Sequence, residues 1–367
     1  MRCTEGYREE MGDDRINLIV IFGGQSAEHD VSCVTAAHVL RAVDQSRYRV
    51  TPIGIDRDGR WQLATAALAA LEASPRALPE RLEAVGDSLS PTPMLAAAAL
   101  AGPVVVLPLL HGPLGEDGTV QGMLELMDVP YVGSGVLASA VGMDKALAKE
   151  LLGYHRIPQA RWISLREHEV GPDRLAAVAG ELGLPVFVKP SNMGSSVGVS
   201  KATTLVELQH SVDHALSYDE WVVIEEAIRG REIEVAVLGN LDPVASVPGE
   251  IVPGNEFYDY EDKYVEDGAQ LLIPAPLTDV QSEEVRRRAI EVYHALRCEG
   301  LARVDFFLEE HGRGLLVNEV NTMPGFTPIS MYPKMWQSSG ISYPELVDRL
   351  IDLAVERHRR RRRNTKH

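Results

Sequence analysis

Residues 301–327, LARVDFFLEEHGRGLLVNEVNTMPGFT, restrict the fold more than any other stretch of the chain. Two short apolar runs flank a turn at residues 309–314 whose GRG punctuation suits a hairpin. Alternate residues of a strand share a face. Arg303 and Asp305 therefore point one way, as do Glu319 and Asn321 on the returning strand. If the strands pair, one side of the ribbon carries a guanidinium, two carboxylates and an amide. Such oxygen ligands suit Mg²⁺, which prefers carboxylates together with substrate phosphates. A cation beside them would stabilise charge developing on a transferred phosphoryl or acyl group. A half-solvated hairpin with its charges on the wet face would show the same pattern. The very apolar runs VDFFL and LLV favour a ribbon that lines a closed cleft.

With 367 residues, two or three domains are expected. The chain is 45% hydrophobic and 24% charged, ample material for buried cores. A net charge of −17 argues against broad nucleic-acid binding. The basic end, RHRRRRRNTKH at 357–367, is the exception and reads as a solvated tail, with weak contact to an acidic partner as the alternative. Cys3, Cys33 and Cys298 have no paired spacing, so neither a disulfide framework nor a zinc motif is expected, and a reducing cytoplasm is the natural setting. The polar, acidic start is neither a signal peptide nor an anchor, and no run has the length of a membrane span. A soluble cytoplasmic protein follows as the expectation.

In chain order, residues 16–22 (INLIVIF) form a buried strand that ends in Gly23-Gly24-Gln25-Ser26 and leads into a periodic helix, the opening of an α/β unit. Its glycines let backbone amides approach a ligand, but the G-x-G-x-x-G order is absent. Glu28 lies in the first turn. By itself it reads as a residue that complements the helix dipole, and the alternative is a holder of a ligand's ammonium group. Residues 49–55 are the next strand, with Trp61 in a turn. Residues 64–101 contain a helix and a variable loop. Strand 104–110 runs into His111, Glu116 and Asp117, polar groups at the strand's C-terminal end, where open α/β sheets place their sites. A helix at 120–127 and a short strand at 131–132 follow.

Asp144 caps a helix over 145–154. Residues 158–164 read as a strand and 173–182 as a helix. The segment PVFVKPSNMGSSVGVSKA (185–202) gives a strand ending at Lys189 and a loop of serines and glycines able to close over phosphates. A mobile surface loop is the other reading, and the order is not that of a Walker A loop. Residues 205–216 form a helix and 221–226 (WVVIEE) a strand. On the strand 231–238, Glu232 and Glu234 share one face. The strand end at Val223–Glu226 with Glu232 could offer acceptors to a nucleotide's base edge or ribose, though such charges are more often ordinary. Residues 255–270 (NEFYDYEDKYVEDGAQ) are a long polar, aromatic loop read as a lid. A helix at 282–298, the hairpin, a proline-glycine turn whose Gly325 N–H could meet an oxyanion, and a helix at 343–357 complete the chain.

The order of these signals resembles the ATP-grasp superfamily, in which two α+β subdomains clamp ATP. GGQSAEHDVS, HGPLGEDGTVQGMLEL, VGSG…MDK, VKPSNMGSSVGV, EFYDYEDKY, RVDFFL and NEVNTMPGFTPIS carry the resemblance further, to the D-alanine–D-alanine ligases, over residues 16–356. The resemblance implies an α/β and α+β chain. An N-terminal parallel-sheet domain (1–140) precedes a central (141–228) and a C-terminal (229–367) ATP-grasp subdomain, with the lid at 255–270. It implies that Lys145, Lys189, Ser195, Glu225, Ile228 and Glu232 contact ATP, with Lys189 on phosphate and Glu232 on ribose. Asp305, Glu319 and Asn321 would bind two Mg²⁺ ions, or Mn²⁺ in their place. Glu28 would take the first D-alanine's ammonium, reversing the local reading, and Ser195 and Tyr264 would complete a triad with it. Arg303 and the Gly325 N–H would form the oxyanion hole. Ser330 and the Met331 backbone would hold the second D-alanine's carboxylate, His111 would line that subsite, and Lys263 would accompany the lid. A homodimer through the first domain is implied, with no nucleic-acid or membrane partner. A D-alanine–D-lactate ligase, another ATP-grasp ligase with a different acceptor and a non-catalytic ATP-binding regulator are the alternatives. Tyr264 favours an amine nucleophile.

Overall fold

The computed structural model describes residues 15–253 and 270–361. The first sheet is built on β1 (Ile16–Gly23), whose apolar run is buried on both faces. Leu18, Val20 and Phe22 pack on one side and Ile19 and Ile21 on the other, as a strand covered by helices on both sides requires. β1 pairs in parallel with β2 (Tyr48–Ile55) and β5 (Val104–Pro108). β3 (Trp61–Leu63) and β4 (Asp87–Ser88) extend the other edge antiparallel, giving the order β4-β3-β2-β1-β5. The sheet is therefore mixed, whereas the sequence reading expected a parallel one with Trp61 in a turn. The extra edge depends on a close backbone approach. A Cβ on Gly86 would lie 1.7 Å from the Leu63 carbonyl oxygen, so only glycine fits there.

Gly23 and Gly24 have φ of +89° and +97°. This left-handed turn launches α1 (His29–Ala42) from the end of β1. Helices α2 (Thr65–Ala73), α3 (Pro91–Ala101), α4 (Thr119–Leu126) and α5 (Val136–Met143) follow in this part of the chain.

The second sheet is antiparallel, in the order β6 (Trp162–Arg166), β9 (Trp221–Glu226), β7 (Val186–Pro190), β8 (Ser200–Ala202). Helices α7 (Pro172–Leu182) and α8 (Leu205–Leu216) cover one face through Leu175, Val178, Leu208 and Val212. β6 starts four residues later than the sequence suggests. Residues 158–159 instead meet the third sheet, where the Val317 N–H donates to the Pro158 carbonyl at 2.9 Å. In the chain, α6 (Lys145–Tyr154) comes between the strands of the first two sheets, and its Asp144 cap accepts from the Leu147 N–H as expected.

The third sheet, also antiparallel, runs β13 (Gln270–Leu272), β12 (Gly249–Val252), β10 (Arg231–Gly239), β14 (Gly300–Glu309), β15 (Gly314–Asn321), with β11 (Val244–Ala245) on β10. α9 (Asp279–Ala295) closes its apolar face. α10 (Met331–Ser338), which the sequence reading did not assign, and α11 (Tyr343–Arg361) pack Tyr332, Trp336, Leu346 and Ile351 into one core with Leu18, Val20 and Phe22.

The basic end is not a solvated tail as far as Arg361. α11 continues through it, and Arg357 is buried, donating to the Gly133 and Tyr131 carbonyls with its guanidinium 4.1 Å from the Tyr131 ring centre. His358 meets Asp128, Arg360 meets Glu299, and Arg361 meets Glu125. Acceptors far away in sequence explain why a run of arginines folds back. Among the described residues, no helix is long and apolar enough to cross a membrane.

Candidate active site

Two sheet faces meet across a cavity of about 730 Å³. On the second sheet, Phe187 pairs with Glu225 and Lys189 with Val223, so Phe187, Lys189 and Glu225 share a face. On the third sheet, Glu232 pairs with Phe307, Glu234 with Asp305, and Asp305 in turn with Glu319. Arg303 lies opposite Asn321. That face therefore carries Glu232, Glu234, Arg303, Asp305, Glu319 and Asn321. A register shift after Asp305 also turns Asn318 into the cavity. Of the residues proposed from sequence, Lys145, Lys189, Ser195, Glu225, Ile228, Glu232, Arg303, Asp305, Glu319 and Asn321 line this single space.

The ion pairs in the cleft form two groups. Glu225, almost wholly buried, accepts from Lys189 at 3.0 Å and lies 3.2 Å from the Lys149 ammonium. Burial would raise its carboxyl, but the two lysines outweigh burial and hold it down to about 2. Burial would lower Lys189, but Glu225 and Glu319 hold it above the usual lysine value. In Lys145 burial prevails and the ammonium is lowered. Across the cleft, Arg303 makes a two-pronged contact with Asp305, both bonds 2.7 Å, and lies 3.1 Å from Glu234. Burial alone would lower Arg303, but Asp305 and Glu234 keep it firmly charged. Asn321 donates to Asp305 at 2.9 Å.

At one end the glycine-serine loop meets the first domain. Ser195 donates to Glu28 across 167 positions of sequence. Glu28 precedes α1 but makes no capping bond with its side chain. Its carboxylate turns instead to the loop, which the helix-dipole reading does not account for. Ser195 and Ser196 have φ of +48° and +59°, a conformation that costs L-residues energy and clusters at ligand sites. Glu116 sits beside Glu28 and accepts from the Gly112 N–H at 2.8 Å. Burial and the Glu28 charge push its carboxyl up to about 8.

His111 is buried below this point, with Nδ1 3.0 Å from the Met323 carbonyl. Gly325 and Ser330 are close, since a Cβ on Gly325 would lie 3.2 Å from the Ser330 hydroxyl. Met331 opens α10 and is buried. None of these four residues lines the cavity. Tyr264, Lys263 and the lid 255–269 lie outside the described residues, and Gln270 already begins β13.

Lys149 and Asn318 carry no role in the sequence, Glu116 is marked there only as a polar group at a strand's C-terminal end, and Glu234 only as sharing a face with Glu232. Lys149 follows Lys145 by four residues, so one helix face presents both. Glu234 alternates with Glu232. Nothing local signals Asn318, because the bulge that turns it is a property of the pairing. Among the described residues no group of three or more His, Cys, Asp or Glu gathers as an all-protein metal cage. Asp305, Glu319 and Asn321 do fit Mg²⁺, which commonly takes one or two carboxylates and completes its shell with phosphates and water.

Family models cover most of the chain. One described as "D-ala D-ala ligase N-terminus" matches residues 17–134, and one described as "D-ala D-ala ligase C-terminus" matches residues 151–352. A D-alanine–D-alanine ligase of Acetivibrio thermocellus is 46% identical, covering 95% of this chain and 98% of that protein. One from Streptomyces avermitilis is 47% identical, covering 93% and 94%. The solved D-alanine-D-alanine ligase from Coxiella burnetii superposes with a TM-score of 0.78 at 35% identity, covering 95% and 96%. VanG D-Ala:D-Ser ligase from Enterococcus faecalis gives 0.78 at 33%, covering 93% and 99%. With both halves matched and relatives aligned over nearly their whole length, the chain belongs to the D-alanine–D-alanine ligase family.

Proposed function

We propose that the cleft residues divide between nucleotide, metal and two amino-acid subsites of the family's reaction. The chain is an ATP-dependent ligase that joins two D-alanines into D-alanyl-D-alanine for peptidoglycan synthesis. The observation that carries the assignment is the Ser195–Glu28 bond. It supports the reading because Ser195 lines the cavity between the lysines and the acidic strands, and its hydroxyl orients the carboxylate we assign to the ammonium.

Lys189 and Lys145 hold the phosphates, Glu225 and the Ile228 backbone face the base, and Glu232 takes the ribose. Glu28, oriented by Ser195 and joined by Tyr264, holds the first D-alanine's ammonium. That D-alanine's own carboxylate oxygen attacks the γ-phosphorus. The bond to the β-phosphate oxygen breaks, leaving ADP and an acyl phosphate. The second D-alanine, its carboxylate on Ser330 and the Met331 N–H with His111 nearby, attacks the acyl carbon with its neutral amine. Arg303 and the Gly325 N–H stabilise the tetrahedral oxyanion. The attack forms the C–N bond, collapse of the adduct breaks the bond from the acyl carbon to the phosphate oxygen, and the departing phosphate carries off the amine's proton. Lid closure with Lys263 keeps water from the acyl phosphate. Asp305, Glu319 and Asn321 would hold two Mg²⁺ ions, with Mn²⁺ as a substitute; when bound, these neutralise charge on the transferred phosphoryl group.

The functional units are 1–140, 141–228 and 229–367. The protein works in the cytoplasm as a homodimer joined through the first unit. Leu100 and Leu126 there are 90% and 89% exposed, which suits a covered surface. The test is incubation with ATP, Mg²⁺ and D-alanine, which should yield dipeptide, ADP and phosphate in equal amounts. Phosphate release without dipeptide would overturn the reading. With D-lactate competing at neutral pH, dipeptide should predominate, and preferential depsipeptide formation would reject the amine acceptor.

A further inference from the structure

The buried lysine on α6 has no part in the scheme above. Lys149 is 2% exposed and does not line the cavity, whereas Lys189 does. Each meets a different oxygen of Glu225. Lys149 lies 3.2 Å from Oε1, and Lys189 donates to Oε2 at 3.0 Å. The helix carrying Lys149 is fixed to β7 and its following loop. The Lys145 N–H donates to the Ser191 carbonyl at 3.0 Å, and the Ser191 hydroxyl donates to Asp144 at 2.7 Å. One turn on, the Lys149 carbonyl accepts from Gln159 at 2.8 Å.

We propose that Lys149 is a positioning residue for recognition of the nucleotide base. From α6, off the cavity wall, it keeps Glu225 an ionised acceptor, which leaves Lys189 free to turn to the phosphates. The proposal rests on the reading of Glu225 as facing the base.

The charges give the reason for two lysines. An arriving triphosphate attracts the cation on the cavity wall, Lys189. If Lys189 were the lone counter-ion of Glu225, its departure would leave a buried carboxylate uncompensated, and that carboxylate would take up a proton. Lys149 is beyond the ligand's reach and stays in place. A carboxylate offers about four acceptor positions, so Glu225 can still accept from an exocyclic amine while bound to Lys149. Phe187, cross-strand partner of Glu225, supplies a flat apolar surface on the same face. A 6-aminopurine presents a donor there. A 6-oxopurine presents an acceptor, which an ionised Glu225 repels.

The experiment compares ATP with inosine triphosphate, both with Mg²⁺ and D-alanine, in wild type, Lys149→Met, Lys149→Gln and Glu225→Gln. Wild type should favour ATP strongly. Lys149→Met should raise KM for ATP at least roughly tenfold with kcat little changed. It should also lower the ATP-to-ITP ratio of kcat/KM by at least roughly tenfold, because a lost donor–acceptor match dominates such ratios. Lys149→Gln keeps a donor and most of the volume but no charge. It should behave alike, and it serves if the methionine variant does not fold. Glu225→Gln should also lower the ratio. A folded Lys149 variant with the wild-type ratio, while Glu225→Gln lowers it, would show a merely structural ion pair and overturn the proposal. An unchanged ratio in Glu225→Gln would overturn it for a different reason, since Glu225 would then not face the base.

Discussion

Replacing Arg357 tests how the end of the chain is held. Its guanidinium donates to the carbonyls of Tyr131 and Gly133 and stacks on the Tyr131 ring at 4.1 Å. Arg357→Met keeps much of the side chain's apolar stem and removes those contacts. Each buried carbonyl left without its donor costs about 1–3 kcal/mol. The cation–π contact adds about 0.5–2 kcal/mol. Against this, burial of the guanidinium is itself unfavourable and holds its pKa below the usual arginine value, so the charge's removal returns part of the loss. A net destabilisation of about 2–4 kcal/mol results, the range for a broken buried network. Trp336 packs in the core shared with α11, so its fluorescence in a urea titration reports the loss. Arg359→Ala, at an exposed position of the same turn, is the control and should change stability by less than about 0.5 kcal/mol. A shift for Arg357→Met no larger than the control would refute the reasoning and restore the solvated tail.

Arg303→Ala should lower kcat roughly 100- to 1000-fold, as removal of an oxyanion donor does, while nucleotide affinity measured by calorimetry stays within roughly threefold. Near-normal turnover would exclude the oxyanion role. Ser195→Ala removes the donor to Glu28 and should reduce kcat/KM for D-alanine roughly tenfold; steady-state kinetics with unchanged D-alanine dependence would count against the ammonium site. Glu116 has a folded pKa raised to about 8 from 4.5. The folded state therefore binds more protons there than the unfolded state, and this group's contribution to stability falls as pH rises from 4.5 through 8. Glu116→Gln should gain stability relative to wild type over that window in urea titrations, and a pH-independent difference would contradict it.

What the sequence made legible depended on how local each signal was. α6 and α8 start and stop where their patterns and caps place them, since Asp144 and Thr204 each bind an N–H three residues on. β9 matches its apolar run to the residue. The facing of Arg303, Asp305, Glu319 and Asn321 followed from strand alternation, and the hairpin's register bears it out. Features set by distant partners were not legible. β3 and β4 are three and two residues long and exist through edge pairing. β6 is displaced because β15 captures the backbone at Pro158. A lysine one turn after another looks the same in sequence whether it points to water or, like Lys149, to a buried carboxylate. The arginines of the C-terminal end read as solvated because their acceptors are distant in sequence: Tyr131 and Gly133 lie more than 220 positions from Arg357, and Glu299 lies 61 from Arg360.

The two faces of the cleft are electrically unlike, and this limits what can bridge them. The second sheet and α6 bring Lys145, Lys149 and Lys189 to one carboxylate, Glu225. The third sheet sets Glu234, Asp305 and Glu319 around one guanidinium, Arg303, with Glu232 on the same face. A bare triphosphate would be drawn to the first face and repelled by the second. A divalent cation alone would be drawn to the second and repelled by the first. A nucleotide that arrives with Mg²⁺ presents anionic oxygens to the lysines and positive charge to the acidic strands, so it satisfies both faces at once. That complementarity accounts for the acidic ribbon in a protein whose co-substrate is itself a polyanion. It also explains why the hairpin alone could not be distinguished from solvated charge: half of its meaning lies on the sheet across the cleft.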